Sequence, residues 1–243
     1  MRVGFISDIH GNLFALEAVL ADLEQRNVDR IVCLGDICFG PQAHECLARV
    51  KELGCPVVLG NWDSWSIDGF PPRDDPIGMM LYEIGEWWAT LLDDDDRTFV
   101  RTFVPTLEVP LGDDGTAMYC FHGSPQSFSD WIFSTTPDAD VERMLAGAEA
   151  PILVGGHTHL QLVRRFGPAV LVNPGSVGQP FAQWWPKTIR VAPWGEYGVI
   201  DATDGGLDIE LRRVPFDVQA LLSFCLESGM PHAQWWVDSW NAE

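Results

Sequence analysis

The chain has 243 residues, an apolar share of 47%, and 35 acidic against 15 basic side chains, which gives a formal net charge of −20. This length allows one large α/β domain, and the composition is that of a folded globular protein rather than a disordered one. The charge argues against nucleic-acid binding, which needs clustered Lys and Arg. An anionic substrate would therefore need a local positive centre, which bound divalent cations can supply.

The cysteines and the apolar runs indicate the compartment. Six cysteines lack Cys-x-x-Cys spacing and lie mostly within apolar runs, which predicts reduced, buried thiols rather than disulfides. A strand is predicted almost at the first residue, and no apolar stretch approaches membrane-spanning length. We therefore predict a cytoplasmic protein without a membrane partner.

The first 60 residues alternate short apolar runs with helical spacing of leucine and valine, which is typical of a sheet with crossover helices. The pattern predicts the order β-α-β-α-β. The predicted elements are a strand at Val3–Ile6, a helix from Leu13 to Arg26 or Asn27, a strand at Ile31–Leu34, a helix at Ala43–Leu53 and a strand at Val57–Leu59.

A mainly helical insertion, rich in Trp, Pro and acidic residues, is predicted from about 62 to 103. Its four-aspartate run, Asp93–Asp96, is predicted to cap the N-terminus of a helix. The alternative, a calcium loop, lacks the spaced oxygen ligands and the glycine that such a loop needs.

The second half returns to strands separated by glycine-containing turns, so it is predicted to be partly antiparallel. Two packed sheets in a single domain, 1–243, are expected. The predicted strands are Leu107–Leu111, Ala117–Phe121, Ile152–Val154, Leu160–Arg165, Val170–Val172, Gly198–Asp201 and Leu207–Arg213.

Polar segments follow five of the predicted strands, and each contains an oxygen or imidazole donor. His157 and His159, two residues apart, follow the strand at Ile152–Val154. The donors after the other four strands are Asp8 and His10, Asp36, Asn61, and His122. Each segment alone could be an ordinary turn, but ligands bind where the carboxyl ends of strands share one edge. Donors of this kind suit Mn, Fe, Zn, Ni or Co, and we predict two divalent ions with manganese favoured.

The order of these segments, Asp-x-His, Gly-Asp, Gly-Asn-x-Asp, His and Gly-His-x-His, resembles that of the calcineurin-like metallophosphoesterases. The segment Asn173–Val177 resembles the one that follows in the small prokaryotic phosphodiesterase branch of that family. The resemblance implies a four-layer α/β/β/α sandwich of two mixed sheets flanked by helices. It also implies attack on phosphorus by a metal-activated hydroxide. By the same resemblance, one ion binds Asp8, His10 and His159, the second binds Asn61, His122 and His157, and Asp36 bridges both.

One position departs from the family pattern, because Trp62 stands where the commonest motif has a histidine after Gly-Asn. An indole cannot carry a titrating proton near neutral pH, so general acid catalysis is in doubt there. We therefore predict a phosphodiesterase that cleaves a diester with a good leaving group. Trp62 is predicted to shape the substrate pocket of this enzyme. The alternative is that its ring only packs against neighbouring side chains. Asp63 is predicted either to orient the loop or to act as a third acid.

The predicted catalytic residues are Asp36, Asn61 and Asp63, and the predicted substrate contacts are Trp62, Lys187 and Arg190. For the two basic residues, the alternative is plain surface charge. Ser124 and Ser176 are expected to make turn hydrogen bonds, and His44 and His232 to be ordinary surface or packed histidines.

Eleven tryptophans, several in adjacent pairs, predict that some indoles wall a cleft or lie in a subunit contact. The segments in question are Trp62–Trp88 and Gln234–Trp240. A homo-oligomer through these surfaces is one expectation and a lid is the other.

Taken together, these features predict a dinuclear phosphoesterase that hydrolyses a small-molecule phosphodiester. The alternatives are a phosphomonoesterase, a dinucleoside polyphosphate hydrolase, and a non-catalytic interaction scaffold.

Overall fold

A computed structural model describes residues 1–111, 116–183, 189–203 and 206–241. The described helices are α1 (Leu13–Glu24), α2 (Ala43–Leu53), α3 (Asn61–Asp68), α4 (Pro76–Ala89), α5 (Asp94–Val100), α6 (Asp138–Met144), α7 (Val218–Glu227) and α8 (Ala233–Asn241). The described strands are β1 (Arg2–Ile6), β2 (Arg30–Cys33), β3 (Thr106–Pro110), β4 (Ala117–Phe121), β5 (Ile152–Val154), β6 (Leu162–Phe166), β7 (Ala169–Asn173), β8 (Phe181–Gln183), β9 (Arg190–Val191), β10 (Trp194–Thr203) and β11 (Gly206–Pro215).

Two mixed sheets carry the fold. The first has the strand order β11-β10-β1-β2, in which β1 is parallel to β2 and antiparallel to β10. The second has the order β3-β4-β5-β7-β6, in which β4, β5 and β7 are mutually parallel. A small antiparallel pair, β8 and β9, lies apart from both sheets. The parallel strands direct their carboxyl ends the same way, as crossover connections require.

The sheets pack face to face, with helices on both outer faces. Phe5 of β1 and Met118 of β4 meet in the core between the sheets. The neighbouring Ile6 faces the opposite side, toward α1 and α2, because successive side chains of a strand alternate. On the far side of the second sheet, Val141 of α6 packs with Leu153. These layers confirm the α/β/β/α sandwich.

Glycine lets α1 approach β1 closely. A Cβ atom at Gly4 would lie 2.7 Å from Cδ2 of Leu23, so any larger residue would push the helix away from the sheet. This contact holds the helix that follows the first polar segment.

The stretch from 62 to 103 contains α4, α5 and most of α3. Asp93 caps α5 as predicted, because its carboxylate accepts a hydrogen bond from the backbone N–H of Asp96 at 2.8 Å. The strand predicted at Val57–Leu59 is reduced to single bridges that Val57 makes with Cys33 and Val58 makes with Val104. The extended segment ends after these bridges because α3 begins at Asn61.

Several elements were not predicted from the sequence, namely α6, α7, α8, β8 and β9. The strands β10 and β11 run to ten residues each, longer than predicted, because they pair with each other along their whole length. Pairing between strands extended these elements beyond what local pattern indicated.

All six cysteines are free, and all except the half-buried Cys55 are buried. This agrees with the prediction of reduced thiols. None of the helices in the described ranges has the length and apolar character needed to cross a membrane.

Candidate metal centre

The predicted donors converge where the carboxyl ends of the two sheets meet. Asp8 and His10 follow β1, and Asp36 follows β2 in the first sheet; His122 follows β4, and His157 and His159 follow β5 in the second. Asn61 is the first residue of α3. All seven side chains are buried, with exposures of 8% or less. The packing of the two sheets therefore assembles a single buried polar centre.

Five of these residues have a left-handed backbone conformation. The φ angles of Asp8, His10, Asp36, His157 and His159 lie between 47° and 66°. Such a conformation costs a non-glycine residue about 1–3 kcal/mol and persists where the surrounding structure enforces it. At these positions the donor residues themselves turn the chain.

Two glycines contribute by close approach instead. A Cβ atom at Gly60 would lie 2.1 Å from Oδ1 of Asp36, and one at Gly156 would lie 2.2 Å from Oγ of Ser7. Only glycine lets these backbones pass so near the carboxylates.

One group of donors consists of Asp8, His10 and His159. Oδ1 of Asp8 lies 3.3 Å from Nε2 of His159 and 3.8 Å from Nε2 of His10. The two imidazole Nε2 atoms are 3.0 Å apart. His159 donates its Nδ1–H to the carbonyl of Gln179 at 2.7 Å, which leaves the Nε2 lone pair directed into the group.

A second group consists of Asp36, His122 and His157, with Asn61 beside them. His122 donates Nδ1–H to the carbonyl of Leu34 at 2.7 Å, and its Nε2 lies 3.2 Å from Oδ2 of Asp36. With the Asn61 amide oriented so that its nitrogen faces the centre, that nitrogen lies 2.9 Å from Nδ1 of His157 and 3.3 Å from Oδ2 of Asp36.

Asp36 lies between the groups, since its Oδ2 is also 3.9 Å from Nε2 of His10. Its other oxygen, Oδ1, accepts the backbone N–H of Trp62 at 2.9 Å. The structure thus brings together the residues that the resemblance implied as ligands.

The charges of this centre favour a bound cation. Burial acts to raise the pKa of Asp8 and Asp36, but the surrounding imidazoles outweigh it and hold both pKa values below the usual range. Burial, together with nearby imidazoles, lowers the pKa of His10 to about 4 and of His157 to about 3. Ionised carboxylates and neutral imidazoles are the forms that bind divalent metals.

His122 behaves differently from the other imidazoles. Burial acts to lower its pKa, but the carboxylate of Asp36 raises it to about 9. The negative charge of Asp36 is therefore balanced here either by a proton on His122 or by a metal ion.

An unpaired atom provides the fit test for a metal. Oδ1 of Asp8 is buried and accepts no hydrogen bond, while Oδ2 of the same residue accepts from Oγ of Ser7 and from the N–H of His157. A buried carboxylate oxygen without a donor is costly unless a cation occupies its free side. The donor set therefore fits divalent metal ions.

Asp63 faces the backbone rather than the cavity. Its carboxylate accepts hydrogen bonds from the N–H groups of Asp36, Ile37, Cys38 and Gly60 at 2.7, 3.0, 3.0 and 3.2 Å. Burial and the nearby carboxylate of Asp36 raise its pKa to about 6. Of the two roles predicted for Asp63, this geometry corresponds to orienting the loop, and the carboxylate does not line the cavity as Asp36 and Asn61 do.

The segment after β7 ties two donor loops together. Asn173 donates from Nδ2 to the carbonyl of Gly156 at 2.7 Å, and Ser176 donates from Oγ to the carbonyl of Asp8 at 2.7 Å. Ser176 and Ser124 also accept backbone N–H groups of their own turns, as predicted.

The other histidines lie outside the centre. His44 is half exposed and bonded to Asp96, and His232 is bonded to Glu83 at the surface. Both agree with the prediction of ordinary surface or packed histidines.

A cavity of 560 Å³ opens over the metal centre and has a largely aromatic wall. The aromatic lining residues are Phe39, Trp62, Trp65, Phe70, Tyr82, Trp131, Phe181, Trp235 and Trp236. They come from the loop after β2, the insertion, the loop after β4, β8 and the C-terminal helix α8. Five of the described tryptophans thus wall a cleft, which was one of the two expectations. Homo-oligomerisation through such residues stays a prediction.

Of the two predicted basic substrate contacts, only Arg190 lies among the described residues. Lys187 lies outside the described residues. Ile189 and Val191 line the cavity, whereas Arg190 between them does not, because alternate residues of a strand face opposite sides. A substrate contact by Arg190 stays a prediction.

Arg73 is the basic residue that the described cavity wall does contain, and it was missed. Its guanidinium lies 5.5 Å from the centroid of the Trp65 ring. No motif marks it in the sequence, since it lies in a Pro- and Asp-rich stretch without periodicity.

The fold and this buried set of donors define a metal-dependent hydrolytic centre at the joint edge of two sheets. Residues 1–192 match the family model described as the calcineurin-like phosphoesterase superfamily domain. The chain belongs to this superfamily and is a metal-dependent phosphoesterase.

Two proteins are similar to this chain over most of its length. The protein MJ0912 of Methanocaldococcus jannaschii is 27% identical over 250 residues, covering 94% of this chain and 93% of its own length. The phosphodiesterase YfcE of Escherichia coli K12 is 27% identical over 191 residues, covering 74% of this chain and 81% of its own.

Solved structures share the fold over nearly the whole chain. A metallophosphoesterase from Sphaerobacter thermophilus has a TM-score of 0.75 at 25% identity, with 98% of both chains covered. The protein PH1004 from Pyrococcus horikoshii OT3 has a TM-score of 0.76 at 20% identity, with 95% of this chain and 94% of that chain covered, and shows the fold alone.

Proposed function

We propose that this phosphoesterase hydrolyses a small-molecule phosphodiester and uses two divalent ions, with manganese favoured. The preference for a diester rests on Trp62, which follows Asn61 in the cavity wall. Trp62 stacks on Phe39 with ring centroids 3.9 Å apart and offers no titratable proton to a leaving group. A substrate with a good leaving group needs no such proton.

The ligand sets are proposed as the two groups of the centre. Asp8, His10 and His159 would hold one ion, Asn61, His122 and His157 the other, and Asp36 would contact both. When bound, divalent ions would polarise the phosphoryl oxygens and make a water molecule acidic enough to act as the nucleophile. Asp36 is oriented for this contact by the N–H of Trp62 and, through its own backbone, by Asp63.

The charge of the cavity also supports a diester. Its described wall is mainly aromatic and carries one guanidinium, that of Arg73, and the carboxylates Asp36 and Asp75. A diester has one negative charge at neutral pH and a monoester close to two, so the diester costs less free energy to remove from water in such surroundings.

The substrate is proposed to be a small molecule rather than a nucleic acid, in accord with the net charge of −20. A reducing compartment such as the cytoplasm is proposed as well, which the six free thiols support.

A comparison of bis(4-nitrophenyl) phosphate with 4-nitrophenyl phosphate tests the substrate class. We expect manganese-loaded protein to show a kcat/KM at least about tenfold higher for the diester, because the diester has the smaller negative charge to remove from water. The leaving group is the same in both substrates, so only the second ester group differs. Protein with Asp8→Asn, purified in parallel, controls for contaminating phosphatases. A higher kcat/KM for the monoester would contradict the proposal.

Replacing Trp62 with histidine tests the missing proton donor. We expect Trp62→His to raise kcat/KM for monoesters with poor leaving groups by about 10–100-fold, because a positioned general acid is worth about 10²–10⁴-fold. The matched control is Trp62→Phe, which can still stack on Phe39 but supplies no proton. An equal gain in both variants would show that the indole only obstructs the cavity.

A further inference from the structure

The cavity wall has a chemistry that hydrolysis of a phosphodiester does not by itself require. Ring contacts run outward from the metal centre: His10 lies 5.9 Å from Phe39, which stacks on Trp62, which meets the ring of Trp65 edge-on at 5.0 Å. The guanidinium of Arg73 lies over Trp65 at the end of this row. The row thus lines the path from the donors into the rest of the cavity.

A second part of the wall comes from the C-terminal helix. Trp235 and Trp236 of α8 line the same cavity, although α8 lies beyond the 1–192 range of the family match. Trp236 is almost fully buried, at 2% exposure, whereas Trp235 is half-buried. Among the described residues the Trp235 ring stacks on no other ring and on no cation. A half-buried indole in a cavity wall with no ring partner can still stack on a ligand.

On the basis of the proposed phosphodiesterase function, we propose that one ester group of the substrate is a flat aromatic ring, bound in the cavity against Trp65 and Trp235. The cavity volume of 560 Å³ is in the range of sites for small organic ligands and far exceeds what a phosphate needs. Aromatic pairs gain free energy beyond the burial of their area, so these residues distinguish a flat ring from an equally large aliphatic group. Trp65 and Trp235 are therefore specificity-determining residues.

Binding of three methyl phosphonates tests this proposal, because their P–C bond is not hydrolysed and their one ester has methoxide, a poor leaving group. Methyl phenylphosphonate, methyl cyclohexylphosphonate and methyl methylphosphonate have the same charge and differ in one group only. Dissociation constants are measured by titration calorimetry on manganese-loaded protein. We expect the phenyl ligand to bind about tenfold or more tightly than the methyl ligand, because of ring burial. We expect it to bind about threefold or more tightly than the cyclohexyl ligand, because of stacking.

Variants then locate the ring. Trp65→Leu and Trp235→Leu keep an apolar side chain but remove the flat surface, and each should reduce the phenyl-over-cyclohexyl ratio to within about twofold. Trp87→Leu is the matched control, since Trp87 is also half-buried but does not line this cavity. It should keep the wild-type ratio, and a loss of the ratio in this control would overturn the assignment to Trp65 and Trp235.

The wild-type protein alone also decides the matter, whether or not a variant folds. Equal affinity for the phenyl and cyclohexyl ligands, or for the phenyl and methyl ligands, would overturn the proposed aromatic specificity. Phenyl-selective binding without hydrolysis of any diester would support the aromatic site and overturn the proposed phosphodiesterase function, so the two failures are distinguishable.

Discussion

Asp8→Asn is expected to lower phosphoesterase turnover by about 10³-fold or more and to reduce the metal content of the purified protein. Oδ2 of Asp8 accepts from Oγ of Ser7 and from the N–H of His157, so the asparagine must place its amide oxygen there. Its NH₂ group then faces His159 and His10, where Oδ1 now has no hydrogen-bond partner. Donor hydrogens at that point repel a cation, and the loss of several kcal/mol of metal-derived stabilisation corresponds to this decrease in rate.

His157→Ala should have an effect of similar size through the second group of donors. The measurements are metal analysis of dialysed protein and turnover of an activated diester with manganese added. Asp22→Asn is the control, because Asp22 is a half-buried carboxylate that accepts a hydrogen bond from Arg212 outside the centre. Full metal content and full activity in both site variants would show that the reaction takes place elsewhere on the protein.

Asp63→Ala is expected to lower the free energy of unfolding by about 3 kcal/mol. The substitution leaves four backbone N–H groups without their acceptor in a fully buried place, and each unpaired buried donor costs about 1–3 kcal/mol before water or relaxation compensates. Asp63→Asn keeps one acceptor oxygen and should lose about half as much. Urea unfolding followed by circular dichroism measures both.

The same variants test whether Asp63 positions Asp36 or acts as an acid. If Asp63 positions Asp36, its substitution should weaken metal affinity by about 10–100-fold, because the ligand loop loses the group that orients it. The control Asp68→Ala, also on α3 but exposed and bonded to Ser64, should change neither stability nor affinity. If Asp63→Asn kept both stability and metal affinity while turnover alone decreased, Asp63 would be a catalytic acid.

The local pattern was sufficient for much of the fold. Helical spacing of leucines predicted α1 and α2, and the bounds of α2, β4 and β5 were predicted to the residue. These elements combine a strong apolar period with clear end signals, which act over a few residues. In contrast, β8 and β9 are short and form a pair of their own, and nothing in the local sequence marks them.

What the sequence by itself determined about the site was its set of donors. Asp8, Asp36 and the Gly156-His157-Thr158-His159 segment are recognisable because each follows an apolar strand, and their chemistry follows from residue type. The left-handed backbone at these residues and the binding of Asp63 to four backbone amides were decided only by the tertiary structure. Asp63 joins the start of α3 to the loop after β2, segments about 25 residues apart. The contact of the His157 N–H with Asp8 joins the two sheets, from segments 149 residues apart.

The same distinction holds for the cavity. The sequence shows the abundance of tryptophan, but which indoles line the cavity depends on where α3, α8 and the loop after β4 pack. Arg73 was missed, and Arg190 lies outside the described cavity wall, because the direction of a side chain depends on strand register and loop path. Donor identity is a property of single residues and can be read locally. The shape and polarity of a binding cavity are properties of packed surfaces, which only the folded chain defines.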